Sequence, residues 1–392
     1  MSRLQLVTAG ESHGPKLTGI LSGLPAGLVV DVAAVDFDLA RRQHGYGRGG
    51  RMKIERDAVV FTGGLRGSET LGSPVSFEIA NLDHGVWAAA MGPFALDVEA
   101  ARRRRVAAPR PGHADLAGGL KYGRRDLRDI LERASARESA ARVAAGALCR
   151  QLLASFGISI RSGVLSVGGI GVPAPIRGFS FADLEKVDES SPFRCLDRGA
   201  EAAMVSAVDA ASKVGDTLGG RVLVGARGVP PGLGSHVSWE RKLDGRIAQA
   251  LMSIPSVKAV AIGEGVENSS RPGSAAHDPI GWEKGRGFVR PSNRAGGLEG
   301  GITNGEDVLV TVFLKPISTL KDGLPSVDID SKEPHRAAYE RSDVTAVPAG
   351  GVIAEAMLAF VLADALLEKT GGDSMDEVRR NFDGFVTAQR EF

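Results

Sequence analysis

Apolar and polar positions alternate closely enough over residues 4–9 to predict a strand, which runs into Gly10-Glu11-Ser12-His13-Gly14-Pro15 before a second strand-like run at 18–24. A histidine is thereby held in a tight turn. Short valine- and isoleucine-rich runs at 58–61, 75–80, 158–167, 221–226, 257–262 and 308–314 predict further strands. Between 127 and 156, Ile130, Leu131, Ala134, Ala141, Leu148 and Leu152 recur at helical spacing and Gly157 supplies a stop. One long alanine-rich helix is the expectation. Segments 197–214 and 239–254 also read as helices, the second ended by Pro255, and a last helix closes at Gly371-Gly372. Its apolar part, 352–367, carries Glu355 and Asp364 and is shorter than the roughly twenty apolar residues that span a bilayer, so a buried core helix is expected. The irregular alternation of strands and helices, with hairpin-like strand pairs, favours an α+β fold with antiparallel sheets. No linker, composition step or fixed repeat divides residues 1–392, which predicts a single domain.

Composition narrows the function. The 392 residues are 43% hydrophobic, enough for a real core, and 48 basic against 47 acidic side chains leave a net charge of +1. No whole-molecule field gathers nucleic acid or an anionic membrane, so any preference for anions must come from local arginine clusters. Cys149 and Cys195 lie far from each other and from any histidine at metal-ligand spacing, which argues against a metal site and fits a reducing compartment. The N-terminus shows neither a leader pattern nor an anchor, and a cytoplasmic location is expected.

Candidate chemistry centres on residues 39–57, where Arg41, Arg42, Arg48, Arg51, Lys53 and Arg56 stand among four glycines. Glycine lets the backbone approach a ligand closely, and guanidinium forks hold carboxylate and phosphate oxygens in pairs. The segment therefore reads as a clamp for a small polyanion. Gly45, Gly47 and Gly50 satisfy a dinucleotide-binding pattern, but no apolar strand precedes them. An RNA-binding use of the arginine- and glycine-rich stretch 41–56 stays open. So does a serine hydrolase using Ser12, because Gly10-Glu11-Ser12-His13-Gly14 matches G-x-S-x-G, although that elbow normally follows several strands. His13 and His113 each sit in a glycine- or proline-bearing turn near an arginine, a setting for handling charge and protons together. The run 102–105 reads as the solvated end of a helix starting near Phe94, and Arg133 and Arg137 as neighbours on one helical face. Lys315-Pro316-Ile317-Ser318-Thr319 offers an ammonium and two hydroxyls after a strand, and in Glu340-Arg341-Ser342-Asp343 a carboxylate two residues from Arg341 suggests a local salt bridge.

Taken in order, GESHG, RRQHGYGRGGRM, RPGHAD, ERASARESAARVAAGAL, SNRAGGLEGGITNG, KPIST and RSDVTAVPAGGVIAE resemble the motif series of the chorismate synthase family, over nearly the whole chain. The resemblance implies a β-α-β sandwich with core helices between two antiparallel sheets, assembled as a homotetramer. It further implies a 1,4-anti elimination of phosphate from 5-enolpyruvylshikimate 3-phosphate to give chorismate, the last common step of aromatic biosynthesis, dependent on reduced FMN. By the same resemblance, Ser12, Arg42, Arg48, Arg51, Arg110 and Arg137 contact the substrate. His13 protonates the departing phosphate, His113 stabilises or protonates the reduced flavin, and Asp343 takes part in proton removal. Flavin contacts are implied for Arg133, Ala134, Ser135, Gln249, Ala250, Gly300, Lys315, Pro316, Ile317, Ser318, Thr319 and Arg341. Arg42 and Arg48 are also assigned to NADPH in members that reduce their own flavin. Segment 267–280 and the stretch holding His236 and Trp239 depart from the pattern, which bears on loop conformation and access.

Overall fold

The computed structural model describes residues 3–50, 54–173, 178–285, 287–340 and 343–392. Strands β1 (Gln5–Ala9), β2 (Lys16–Ser22), β3 (Val59–Gly63) and β4 (Val75–Ala80) form one sheet in the order β1-β2-β4-β3. A second sheet contains β5 (Ser159–Val167), β6 (Ile170–Gly171), β7 (Gly220–Arg227), β8 (Val257–Ile262) and β9 (Val308–Leu314), in the order β8-β9-β7-β5-β6. Every neighbouring pair in both sheets is antiparallel, as the alternation predicted.

Three helices fill the space between the sheets. They are α1 (Val32–Gln43), α5 (Ser139–Ala154) and α8 (Val347–Thr370), numbered in a series that also includes α2 (Val98–Arg104), α3 (Asp115–Tyr122), α4 (Arg128–Ala134), α6 (Glu201–Lys213), α7 (Leu243–Met252) and α9 (Met375–Glu391). One hydrophobic cluster joins Leu17, Phe77 and Ile79 of the first sheet to Leu148 and Leu152 of α5, Leu358 and Leu362 of α8, and Val222 and Val310 of the second sheet. This is the α+β sandwich that the motifs imply.

Helix α8 is apolar on nearly every side because protein surrounds it. It is longer than the apolar run suggested and passes a length and hydropathy test for a membrane span, yet 94% of its apolar window is buried inside the protein. Small residues let it come close: a Cβ on Gly146 of α5 would lie 2.3 Å from the Ala356 Cβ. Helix α9 was not expected; a capping box between Ser374 and Glu377 starts it, and Met375, Val378, Phe382 and Phe385 lay one apolar stripe on the core, Val378 fully buried.

One expected element divides. Residues 127–156 form α4 and α5 separated by a single 3₁₀ turn, Ala136–Glu138, because Ser135 adopts an extended backbone (ψ 141°) and its hydroxyl caps the Arg137 N–H. Helical propensity loses there to a cap. The break places residues 134–136 on the wall of a cavity.

Candidate functional site

A cavity of about 690 Å³ opens where loops from both sheets meet. The turn between β1 and β2 contributes Ser12 and His13, the end of α1 contributes Arg42, and the glycine turn after it contributes Arg48 and Gly49. Opposite stand Arg110 and His113, the α4–α5 break with Ala134, Ser135 and Arg137, and the turn after β9 with Lys315, Ile317, Ser318 and Thr319. Asp343 and the start of α8 complete the wall. Residues separated by more than 300 positions thus share one space. Gly10 makes the first turn feasible: its φ is +106° and a Cβ there would meet the Lys16 carbonyl oxygen at 2.5 Å.

The basic side chains are held by fewer acids than they have donors for. Arg42 Nη2 donates to Asp57 Oδ2 at 2.6 Å, and Arg137 Nη1 donates to the other oxygen of the same carboxylate at 2.5 Å. Arg137 also donates to Asn81 Oδ1 at 2.8 Å and has Glu55 at 3.7 Å. Burial alone would push the Asp57 carboxyl up, but the two guanidiniums outweigh it and hold the group below the ordinary carboxylate range. For Arg42 burial acts the other way, reinforced by Arg137 and Arg48, so the charge is destabilised despite Asp57. Its Nε is buried with no hydrogen-bond partner among the described residues. An entering anion relieves both conditions. Arg48 pairs with Asp343 at 2.7 Å, whose second oxygen accepts from the Gly49 N–H at 2.6 Å.

Each histidine leans on a buried carboxylate. His13 Nδ1 lies 2.7 Å from Glu132 Oε1, and its own backbone N–H donates to Glu132 Oε2 at 2.8 Å. The ring stacks on Trp87, centroids 3.9 Å apart at 26°. His113 Nδ1 lies 2.5 Å from Asp115 Oδ1, and Asp115 also accepts from Arg110 Nε at 2.8 Å. Burial would raise the Asp115 carboxyl; the hydrogen bonds from His113 and Arg110 hold it far below the usual range. Arg110 Nη1 donates to Thr319 Oγ1 at 2.9 Å, which ties the histidine turn to the turn after β9.

Several expected placements change. Arg133 and Arg137 do not share a face: across the break, Arg133 turns outward to donate to the Thr8 carbonyl at 2.9 Å, while Arg137 enters the cavity. Glu132 and Glu138, the ordinary partners for that pair, hold His13 and Arg142 instead. Glu340 pairs with Arg128 at 2.6 Å. The arginines after Leu96 are not merely a solvated helix end: α2 starts at Val98, and Arg103, Arg104 and Arg105 line the cavity, with Arg104 4.0 Å above the Trp87 ring. Arg41 leaves the clamp altogether for the core. Gln249 and Ala250 on α7 and Gly300 in the 298–303 hairpin stand off this cavity, as do Pro316 and segment 267–280. Arg51 and Arg341, with Lys53, lie outside the described residues.

Trp87, Arg128, Glu132, Asp57 and Asp115 had not been singled out. Glu132 and Asp115 stand inside quoted motifs, two residues or fewer from an assigned position, whereas nothing in the sequence marks Trp87. The two alternative readings lose their structural basis. The Ser12 turn joins two antiparallel strands instead of a strand and a helix, and Arg41 and Arg42 are buried helical residues rather than part of a solvated arginine–glycine tail.

Comparison with known proteins agrees with this arrangement. A family model described as chorismate synthase matches residues 4–367. The chain is 54% identical to a chorismate synthase of Symbiobacterium thermophilum over 98% of each protein. Against one from Geobacter sulfurreducens it is 51% identical, over 99% of this chain and 100% of that protein. A crystal structure of chorismate synthase, 42% identical, superposes with a TM-score of 0.81 over 100% of both chains. With the fold, the motif order and the relatives in agreement, the chain belongs to the chorismate synthase family, carbon–oxygen lyases of aromatic biosynthesis.

Proposed function

We propose that this enzyme converts 5-enolpyruvylshikimate 3-phosphate to chorismate by 1,4-anti elimination of phosphate, with reduced FMN bound beside the substrate. The observation that carries the reading is the convergence of Arg42, Arg48, Arg110, Arg137, His13, His113 and Asp343 on one cavity, with a buried Arg42 nitrogen lacking an acceptor among the described residues. A substrate with two carboxylates and a phosphate ester requires several fixed cations in a space that limits water. The residues also suit the cofactor. Lys315, which forms no ion pair among the described residues, stands with Ser318 and Thr319 in one turn beside the helix break at 134–136, an ammonium, hydroxyls and open backbone for a phosphate and a polar ring edge.

Arg42, Arg48, Arg110 and Arg137, with Ser12 and Arg51, bind and orient the trianion. His13 gives a proton to the departing phosphate oxygen. His113, pinned to Asp115, addresses the flavin ring, and Asp343 takes part in removing the ring proton once substrate draws Arg48 away. Held by Lys315, Ser318 and Thr319 and by the 134–136 break, a reduced flavin would supply reversible electron donation to the allylic system, with no net redox change. As flavin contacts, Gln249, Ala250 and Gly300 act across a subunit boundary of a homotetramer, since they stand off the cavity of their own chain. We read residues 1–392 as a single domain and the enzyme as cytoplasmic.

An anaerobic assay with the phosphorylated enolpyruvyl substrate and chemically reduced FMN tests the reading: chorismate and inorganic phosphate form in equal amounts. Failure of both products removes it. A parallel run with NADPH and oxidised FMN decides whether Arg42 and Arg48 also serve a reductase activity.

A further inference from the structure

Glu132 does more around His13 than neutralise a charge. Its two carboxylate oxygens accept from two points of the same residue, Nδ1 at 2.7 Å and the backbone N–H at 2.8 Å. The Glu132 carbonyl also accepts from the Ser12 N–H at 3.0 Å, so α4 clips the whole β1–β2 turn. Arg128 Nη1 steadies the carboxylate from below at 3.1 Å, and Arg128 is itself held by Glu340 at 2.6 Å. Trp87 fixes the remaining freedom of the ring by stacking on it, its own face covered by the Arg104 and Arg128 guanidiniums at 4.0 and 4.8 Å. Glu132 is 2% exposed, and His13 lines the cavity.

We infer that Glu132 is a positioning residue that dictates which ring nitrogen of His13 works: with Nδ1 committed to the carboxylate, Nε2 addresses the leaving phosphate. The inference rests on the elimination reading above. In the step, the C–O bond breaks, the phosphate oxygen keeps its electron pair, and that oxygen receives one proton from Nε2. The ring goes from imidazolium to the neutral form protonated at Nδ1, which is the tautomer whose N–H Glu132 accepts. A ring without that acceptor settles with its proton on Nε2, the wrong nitrogen for the product of the step. Burial would favour a protonated Glu132, but the hydrogen bond from His13 and the charge of Arg128 keep the group below the usual carboxylate range, so the acceptor persists at neutral pH.

Two measurements on the full-length protein test this. In substrate-free protein labelled with ¹⁵N-histidine, with H13Q assigning the signals, His13 shows the Nδ1-protonated pattern in its neutral form, and Glu132→Ala shifts it toward Nε2. Should the alanine variant not accumulate folded, the same spectrum is read on Glu132→Gln, whose amide cannot accept from both His13 groups, and the ring signals move there as well. In the anaerobic assay, Glu132→Gln lowers kcat by about 10- to 100-fold while KM for substrate changes less than about threefold. Unchanged His13 signals overturn the inference, and so does an unchanged kcat. If wild-type protein forms no chorismate, the functional reading fails, while the spectra still decide the Glu132–His13 relation.

Discussion

Arg41 and Arg42 are neighbours on α1, both buried, and they belong to different worlds. Arg41 forks onto Glu355 at 2.8 and 2.9 Å, onto Glu189 at 2.9 and 3.0 Å, and onto Asp38 at 2.9 Å. Glu355 in turn takes Arg150, Arg194 and the Ser162 hydroxyl. Every nitrogen of Arg41 meets a carboxylate, and the three cations Arg41, Arg150 and Arg194 face three carboxylates, Glu355, Glu189 and Asp38. Arg42, one residue on, shares Asp57 with Arg137 and keeps a buried nitrogen without a partner among the described residues. An arginine cluster marks an anion site only where donors outnumber acceptors; where they match, it is a structural rivet.

The contrast can be broken by single substitutions. Arg41→Ala leaves Glu355, Glu189 and Asp38 short of one buried cation, with only Arg150 and Arg194 against three carboxylates, and is expected to cost about 3–5 kcal/mol of stability, read by urea unfolding, while kcat/KM per folded molecule changes less than about threefold. Arg42→Ala reverses the pattern: kcat/KM falls by about 10²–10³, roughly 3–4 kcal/mol of transition-state binding, with a smaller loss of stability. If Arg41→Ala lowers activity as far as Arg42→Ala does, the division between the two clusters is wrong.

Gly146→Ala sharpens the structural side, because the added methyl meets the Ala356 backbone and pushes α5, which carries Arg150, away from α8, which carries Glu355. A loss of about 1–3 kcal/mol is expected in the same unfolding experiment. Acid gives a gentler probe. Burial would raise the Glu355 carboxyl, but Arg41, Arg150 and Arg194 hold it far below the usual range. Its contribution is therefore complete above the unfolded-state value of roughly 4.3 and is lost as pH falls through the depressed folded one. The urea midpoint should hold from pH 7 to about 5 and drop below about 4, and Glu355→Gln should flatten that drop. The smallest effect concerns the thiols. Burial, helped by Glu201, pushes Cys195 up to about 11, and burial raises Cys149 further. Neither should react with a disulfide reagent at pH 8 before the protein unfolds.

Much of the fold was legible because alternation and burial are local signals. The eight predicted strands, two read from 4–9 and 18–24 and six from valine and isoleucine runs, all appear within about two residues, and the apolar run ahead of Gly371 is the central helix. The misses share a cause. The α4–α5 break hinges on one serine hydroxyl capping a turn inside alanine-rich sequence, and α9 carries its apolar stripe Met375, Val378, Phe382 and Phe385 among so many charges that the run beyond Gly372 reads as polar. In the site, His13, His113 and most of the binding arginines were visible as residue types in unusual turns. The partner of His13 was not, because Glu132 lies 119 positions away and ordinary helix pairing assigns it elsewhere, and Asp115, two residues from His113, passed unread beside it.

Residue chemistry and local pattern alone determined the α+β class, the strands, the apolar core helix and a set of arginines and histidines whose chemistry suits an anion. Only the tertiary structure decided which arginines remain available to a ligand. That choice depends on whether an acid from a distant element arrives beside each guanidinium, and the pairing energy of a buried charge is a property of the packed surroundings, not of the residue or its neighbours in the chain.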